Sequence, residues 1–307
     1  MTLPVLDADT VRDALPMPVA IAALRDALAA GLDPEADPPR TRVPVRRGEL
    51  LLMPAEANGY AGVKLASVAP DNPAVGRPRI QGAYLLVDGE TLTPRAVLDG
   101  VALTAVRTAA VSAVAVDALA PADAHRLVVF GAGPQAYSHV AALRAIRPVR
   151  QVVVVGRDPG RAAALAEACA ADGLHARTGG VADVADADLV ACCTTAREPL
   201  FDGTLLGRYA TVAAVGSHTP DARELDDAAV TGSTVVVESR AAALREAGDL
   251  IGPVRDGRLD ADTFVNLAEL VTGTRVVGRD RPSVFKSVGM AWQDLVVAAS
   301  CFERCSP

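Results

Sequence analysis

The chain of 307 residues predicts an α/β protein in which a doubly wound parallel sheet is joined to a second, mixed α+β lobe. From His125 onward, short β-branched runs alternate with Ala-rich segments of helical length, the pattern of parallel strands linked by crossover helices. The first of those runs feeds directly into a glycine-rich turn. The length also exceeds the size at which single cores stop growing, so two lobes are expected. Half of the residues are apolar and 22% are charged, which supports a sizeable core and lies outside the disordered range.

The strand runs of the parallel domain are RLVVF (126–130), QVVVV (151–155), DLVACC (188–193), ATVAAV (210–215) and STVVVE (233–238). Helices are predicted over 134–146, 160–171 and 240–247, the first opened by Pro134, which suits a first helical turn. Residues 1–118 read differently. A helix over 18–30 leads through the connector DPEADPPRTRVPVRRGE to short strands, LLLMPA, GVKLASVA and GAYLLVD, that suggest an antiparallel sheet. Val288–Phe302 reads as a helix returning to this lobe. The expected partition is 119–285 for the parallel domain and 1–118 with 286–307 for the mixed lobe.

Net charge is −7 and there are ten aromatic residues, so little is present to attract or stack nucleic acid. The five cysteines are odd in number and lack the paired spacing of a metal site, and no metal is expected. Asp7 and Asp9 stand where an export signal would carry basic residues, so a reduced cytoplasmic location is expected. The apolar stretch Val101–Ala120 is long enough to span a membrane. Thr104, Arg107, Thr108, Ser112 and Asp117 interrupt it, and it is read as a buried helix, with no membrane partner. The basic residues are 28 arginines and only two lysines, Lys64 and Lys286.

Gly131, Gly133 and Ala136 in GAGPQA (131–136) occupy the strand–turn–helix context of a dinucleotide fingerprint, the Rossmann arrangement. Gly131 permits the tight turn, Gly133 lets the backbone approach a pyrophosphate, and Ala136 packs the helix on the strand; Pro134 and Gln135 open the helix whose N-terminus faces the anion. The next strand ends Gly156-Arg157-Asp158. Arg157 is placed to meet a 2′-phosphate, which favours NADP(H), while Asp158 keeps NAD(H) possible.

Arg107 is the one charged residue in Val101–Val116 and shares a helix face with Thr104 and Thr108. A guanidinium on so apolar a helix needs an anion: a substrate carboxylate, a cofactor phosphate or a structural aspartate. Lys64 lies in a strand whose neighbouring residues, Val63 and Leu65, point to the opposite face. In a chain that otherwise uses Arg, it offers a compact ammonium whose pKa burial can lower and which can donate a proton; chance is the plain alternative. Lys286, among Phe285, Ser287 and Arg281, has no evident pocket. His218, in AVGSHTPD, falls in a loop at the carboxyl edge of the sheet and is a catalytic candidate.

The chain resembles the ornithine cyclodeaminase/mu-crystallin family from end to end. The resemblance rests on PPRT (38–41), LLMPA (51–55), GVKLASV with DNP (62–73), LTAVRTAA (103–110), GAGPQA (131–136), AVGSHTPDARELD (214–226), VVVESRAAALREAGDL (235–250) and SVGMAWQD (287–294). It implies a Rossmann domain, a mixed lobe through which the protein forms homodimers, and NAD(H) or NADP(H) as cofactor. It makes Arg40, Lys64 and Arg107 the holders of a substrate carboxylate, with Lys64 able to move a proton at the reacting nitrogen. Thr108 is implied as a pyrophosphate contact. Thr194, Thr195, Gly216 and Ser217 fall to the nicotinamide side, and Ser287 and Gly289 to a segment closing over it.

Two departures bear on the substrate. Ornithine cyclodeaminases carry an aspartate in the loop where this chain has His218, and a glutamate where it has Leu51. Without those carboxylates a diamino acid would lose its counter-charges. The expectation is therefore an NAD(P)H-dependent reductase of cyclic α-imino acids, 1-pyrroline-2-carboxylate or 1-piperideine-2-carboxylate, yielding proline or pipecolate. The alternatives are an ornithine or lysine cyclodeaminase releasing ammonia, an amino-acid dehydrogenase, and a mu-crystallin-like protein that binds NADPH and a ligand without turnover.

Overall fold

The structure is a computed structural model, and it describes residues 3–306. The chain divides into two compact units, Met1–Thr108 with Met290–Pro307, and Ala109–Gly289.

In the first unit the order is β1 (Val5–Leu6), α1 (Ala8–Ala14), α2 (Met17–Ala29), β2 (Thr41–Val45), β3 (Gly48–Ala57), β4 (Tyr60–Val68), β5 (Ile80–Asp88) and β6 (Pro94–Asp99). Helix α3 (Gly100–Leu119) follows and carries the chain out of this unit. The six strands form one sheet in the order β1-β6-β5-β4-β3-β2, antiparallel except for the β1–β6 pair. Strand alternation sorts the sheet into two faces. Leu51, Met53, Lys64, Ala66, Tyr84, Leu86 and Leu98 share the buried face, and Lys64 lies in register between Met53 and Tyr84. Helix α2 starts at a proline-rich step and buries Ala20, Ile21, Leu24, Ala27 and Leu28, an amphipathic stripe.

The second unit runs β7 (Arg126–Phe130), α4 (Pro134–Ile146), β8 (Gln151–Val155), α5 (Pro159–Ala171), β9 (His175–Thr178), β10 (Leu189–Cys192), β11 (Thr211–Ala214), α6 (Asp227–Thr231), β12 (Thr234–Val237), α7 (Arg240–Glu246), α8 (Gly248–Arg255), β13 (Val265–Asn266), α9 (Leu267–Thr272) and β14 (Ser283–Lys286). Helix α10 (Ala291–Cys305) then completes the first unit. The second sheet is parallel throughout, in the order β13-β12-β14-β11-β10-β7-β8-β9. Strand order reverses between β7 and β10, where open α/β sheets place their ligands. The glycine turn follows one of these strands and Cys193-Thr194 the other.

The structure moves both expected boundaries. The expected division at 118 falls instead at Thr108, inside α3, and the return to the first unit comes at Met290, not at 286. The cause of the second shift is β14, which pairs with β11 and β12 and so draws Lys286 into the parallel sheet. The C-terminal helix also starts three residues later than expected, at Ala291. Glu238 accepts the N–H groups of Val288 (2.8 Å) and Gly289 (2.9 Å), and Gly289 has φ +80°, so this stretch is held out of a helix. Helix α3 has the length and hydropathy of a membrane span, but most of its apolar window is buried, as in a core helix.

Candidate active site

Lys64 and Arg107 meet around a residue that sequence reading did not single out. Asp294, in the first turn of α10, is fully buried and accepts from Lys64 Nζ at 2.6 Å and from Arg107 Nε at 3.3 Å. Arg107 also donates to Gln293 Oε1 at 2.8 Å, and Lys64 Nζ lies 3.5 Å from Thr104 Oγ1. The anion demanded by Arg107 is thus in part a structural aspartate. One carboxylate, however, serves two cations. Burial pushes the Lys64 ammonium down to about 8, helped by the charges of Arg107 and Arg40 and only partly opposed by Asp294. Burial and two guanidinium groups outweigh a carboxylate in direct contact. A site with that balance favours a further anion, and its ammonium loses a proton readily near neutral pH.

Arg40, half-buried, directly precedes β2. Leu51 is 6% exposed and pairs with Ala66 on the Lys64 face. Leu51 presents an apolar side chain there in place of a carboxylate. Thr108 is buried on α3 beside Arg107.

In the second unit the glycine turn has the form a dinucleotide requires. Gly131 has φ +104°, and a Cβ there would lie 2.5 Å from the Cys193 carbonyl oxygen. Gly133 caps α4 with no side chain in the cap position, and Pro134 opens the helix. A Cβ on Gly133 would meet nothing nearer than Arg161 Nη2 at 3.8 Å, so the approach to the helix N-terminus is clear. Ala136, fully buried, packs the helix on its sheet, and the Gln135 carbonyl accepts from His139 Nδ1 at 2.8 Å. These residues fit a pyrophosphate, with the orphan N–H groups and positive dipole end of α4 as the seat. At the end of β8, Arg157 is exposed, whereas the Asp158 carboxylate caps α5 by accepting from the Arg161 N–H at 3.1 Å.

The positions expected on the nicotinamide side stand at the carboxyl ends of β10, β11 and β14, and the hydroxyls of Thr194, Ser217 and Ser287 are turned inward. Thr194 donates to Glu224 at 2.8 Å, Ser217 donates to Asp249, and Ser287 donates to Glu238 at 2.8 Å. Gly216 N–H is bound to Glu224, Gly289 N–H to Glu238, Thr195 is exposed and His218 is half-buried in the loop after β11. Burial pushes Glu224 up to about 7, with Lys286 and its hydrogen-bond donors holding it down. Lys286 corrects the expectation of a residue without a pocket. It is 1% exposed, donates to Ser217 O (2.7 Å), Ser217 Oγ (2.9 Å) and Ala214 O (3.4 Å), and lies 3.2 Å from Asp249 Oδ2.

A doubly wound sheet with a pyrophosphate turn, and a lobe that gathers two guanidinium groups and a titratable lysine, define a dinucleotide-dependent oxidoreductase acting on a small anionic substrate. The family follows. The ornithine cyclodeaminase/mu-crystallin family model matches residues 6–307, and the chain belongs to that family. The chain is 37% identical over 300 residues to the Delta(1)-pyrroline-2-carboxylate/Delta(1)-piperideine-2-carboxylate reductase of Azospirillum brasilense, covering 95% of this chain and 93% of the relative. It is 35% identical over 273 residues to the ketimine reductase mu-crystallin of Mus musculus, covering 88% and 85%. The structure of Thermococcus litoralis Delta(1)-pyrroline-2-carboxylate reductase in complex with NADH and L-proline superposes with a TM-score of 0.93 at 30% identity, covering 98% and 97%.

Proposed function

We propose that this protein reduces cyclic α-imino acids, 1-pyrroline-2-carboxylate or 1-piperideine-2-carboxylate, to proline or pipecolate with NADPH. The observation that carries the reading is the Lys64–Asp294–Arg107 group, a buried cationic site whose ammonium is held near 8, beside the apolar Leu51 and Ala66. The names of the relatives support it. Arg107 and Arg40 bind the substrate carboxylate and orient the C=N carbon. A reduced nicotinamide, when bound, supplies a hydride to that carbon. Lys64 donates a proton to the imine nitrogen, or holds the water that does, and Asp294 keeps the ammonium aimed. His218 is the candidate auxiliary acid.

NADPH is preferred over NADH in this reading, because Arg157 stands exposed at the end of β8, where it can meet a 2′-phosphate. The active form is a homodimer. The outer face of the first sheet exposes Val5, Val43, Val45, Leu52 and Leu65, an apolar patch suited to a second copy. The five free cysteines support a reducing, cytoplasmic setting.

The test mixes purified protein with NADPH or NADH and each cyclic imine, following cofactor absorbance, with a parallel ornithine incubation assayed for ammonia. Stoichiometric NADPH oxidation with an imine is expected. Ammonia and proline from ornithine without net cofactor loss would overturn the reductase reading.

A further inference from the structure

The exits of β10 and β11 are joined by one buried side chain. Glu224 Oε1 accepts from the Thr194 N–H (2.8 Å) and hydroxyl (2.8 Å), while Oε2 accepts from the Gly216 N–H (2.6 Å). Cys192 and Ala214, two residues before these donors, are register partners in the sheet, so Glu224 ties adjacent parallel strands together just beyond their last ladder pair. The approach is close enough to require glycine at 216: a Cβ there would lie 2.0 Å from the Thr194 carbonyl oxygen and 2.5 Å from Glu224 Oε1.

Glu224 is itself anchored. Its backbone N–H donates to Asp249 Oδ1 at 2.7 Å, and that of Leu225 does so at 2.8 Å. The other Asp249 oxygen accepts from the Ser217 hydroxyl, and the Lys286 ammonium is held against both. A buried carboxylate is a poor way to gain stability alone, since its desolvation offsets much of what its hydrogen bonds return. Here the three donors to the Glu224 side chain come from the two strand exits, at the sheet edge where ligands of this fold bind.

We propose that Glu224 is a positioning residue for the nicotinamide half of the coenzyme. It sets the separation of the Thr194 and Gly216 loops, so that their backbone groups, with the hydroxyls of Thr194 and Ser217 committed inward, form the rim on which the ring is seated. The inference rests on the coenzyme reading above.

The test compares Glu224→Gln with the wild type in titrations of NADPH and of 2′-phospho-ADP-ribose, which lacks the nicotinamide, alongside kcat for imine reduction. Gln would place an N–H₂ group against N–H donors and lose a charge-assisted bond, so NADPH affinity should fall about tenfold. Affinity for 2′-phospho-ADP-ribose should stay within about twofold, and kcat should fall by about tenfold or more. Equal weakening of both ligands, or unchanged NADPH binding and kcat, would overturn the proposal. If Glu224→Gln fails to fold, Thr194→Val decides, because it removes one bond and keeps the backbone donor; about threefold weaker NADPH binding alone is expected, and no change overturns. A wild type that binds neither these ligands nor NADH would defeat the coenzyme reading itself, a distinct result.

Discussion

Lys64 and Lys286 are both buried ammonium groups facing a buried aspartate, yet their surroundings differ in kind. Lys286 is saturated: two carbonyl oxygens, a hydroxyl and Asp249 take up its donors. Lys64 has Asp294 at 2.6 Å and Thr104 at the limit of hydrogen bonding, and its aspartate is shared with Arg107. The first arrangement spends its charge on holding a loop. The second keeps an excess of positive charge and a proton that is easily lost, which is what binding and protonating an anionic imine requires. In a chain with 28 arginines, both lysines sit where a compact ammonium is needed, for different reasons.

Substitution should separate the two roles. Lys64→Met is expected to lower kcat/KM for imine reduction by about 10²-fold or more while the melting temperature changes little, because Asp294 keeps Arg107 as partner. Steady-state kinetics with calorimetry on the same sample checks both halves. Lys286→Met leaves Asp249 without its counter-ion and should reduce stability by about 3 kcal/mol, the low end for a broken buried pair because Asp249 keeps three other hydrogen bonds. A denaturant titration reads this directly, and Lys286→Met with Asp249→Asn should recover part of the loss. Ser287→Ala removes its bond to Glu238 and leaves the backbone donors of Val288 and Gly289 in place. About 1 kcal/mol is expected from it, with kcat nearly unchanged. A larger kinetic than thermal effect there would move Ser287 from the Lys286 class to that of Lys64.

The parallel domain was legible because β-branched runs and the glycine turn are local signals: RLVVF and QVVVV are strands to the residue. Strand β14 was not. SVFK begins with Ser and ends with Lys, and only its place between β11 and β12 buries all four residues. Strand β2 was hidden in the Pro/Arg-rich connector; it is an exposed edge strand, where Pro44 is tolerated and no apolar alternation is imposed. At the site, rarity pointed to Lys64, and isolation on an apolar helix pointed to Arg107. Their shared partner Asp294 escaped notice, since an acid near the start of an amphipathic helix reads as a favourable surface charge. Glu224, Glu238 and Asp249 were missed for a similar reason. Nothing in a single sequence separates a buried acid that braces loops from a solvated one, although all three lie inside the motifs that carried the family resemblance.

The central claim is that Lys64, protonated and tuned by its neighbours, supplies the proton for imine reduction, and the pH dependence of kcat/KM in wild type and Asp294→Asn tests it most directly. The free enzyme needs the ammonium form, so kcat/KM should fall about tenfold per pH unit above about pH 8. Asp294 raises the Lys64 pKa, so its neutralisation removes that support and should move the falling limb to lower pH. A limb that stays in place in Asp294→Asn would belong to the substrate and not to Lys64, and would contradict the account.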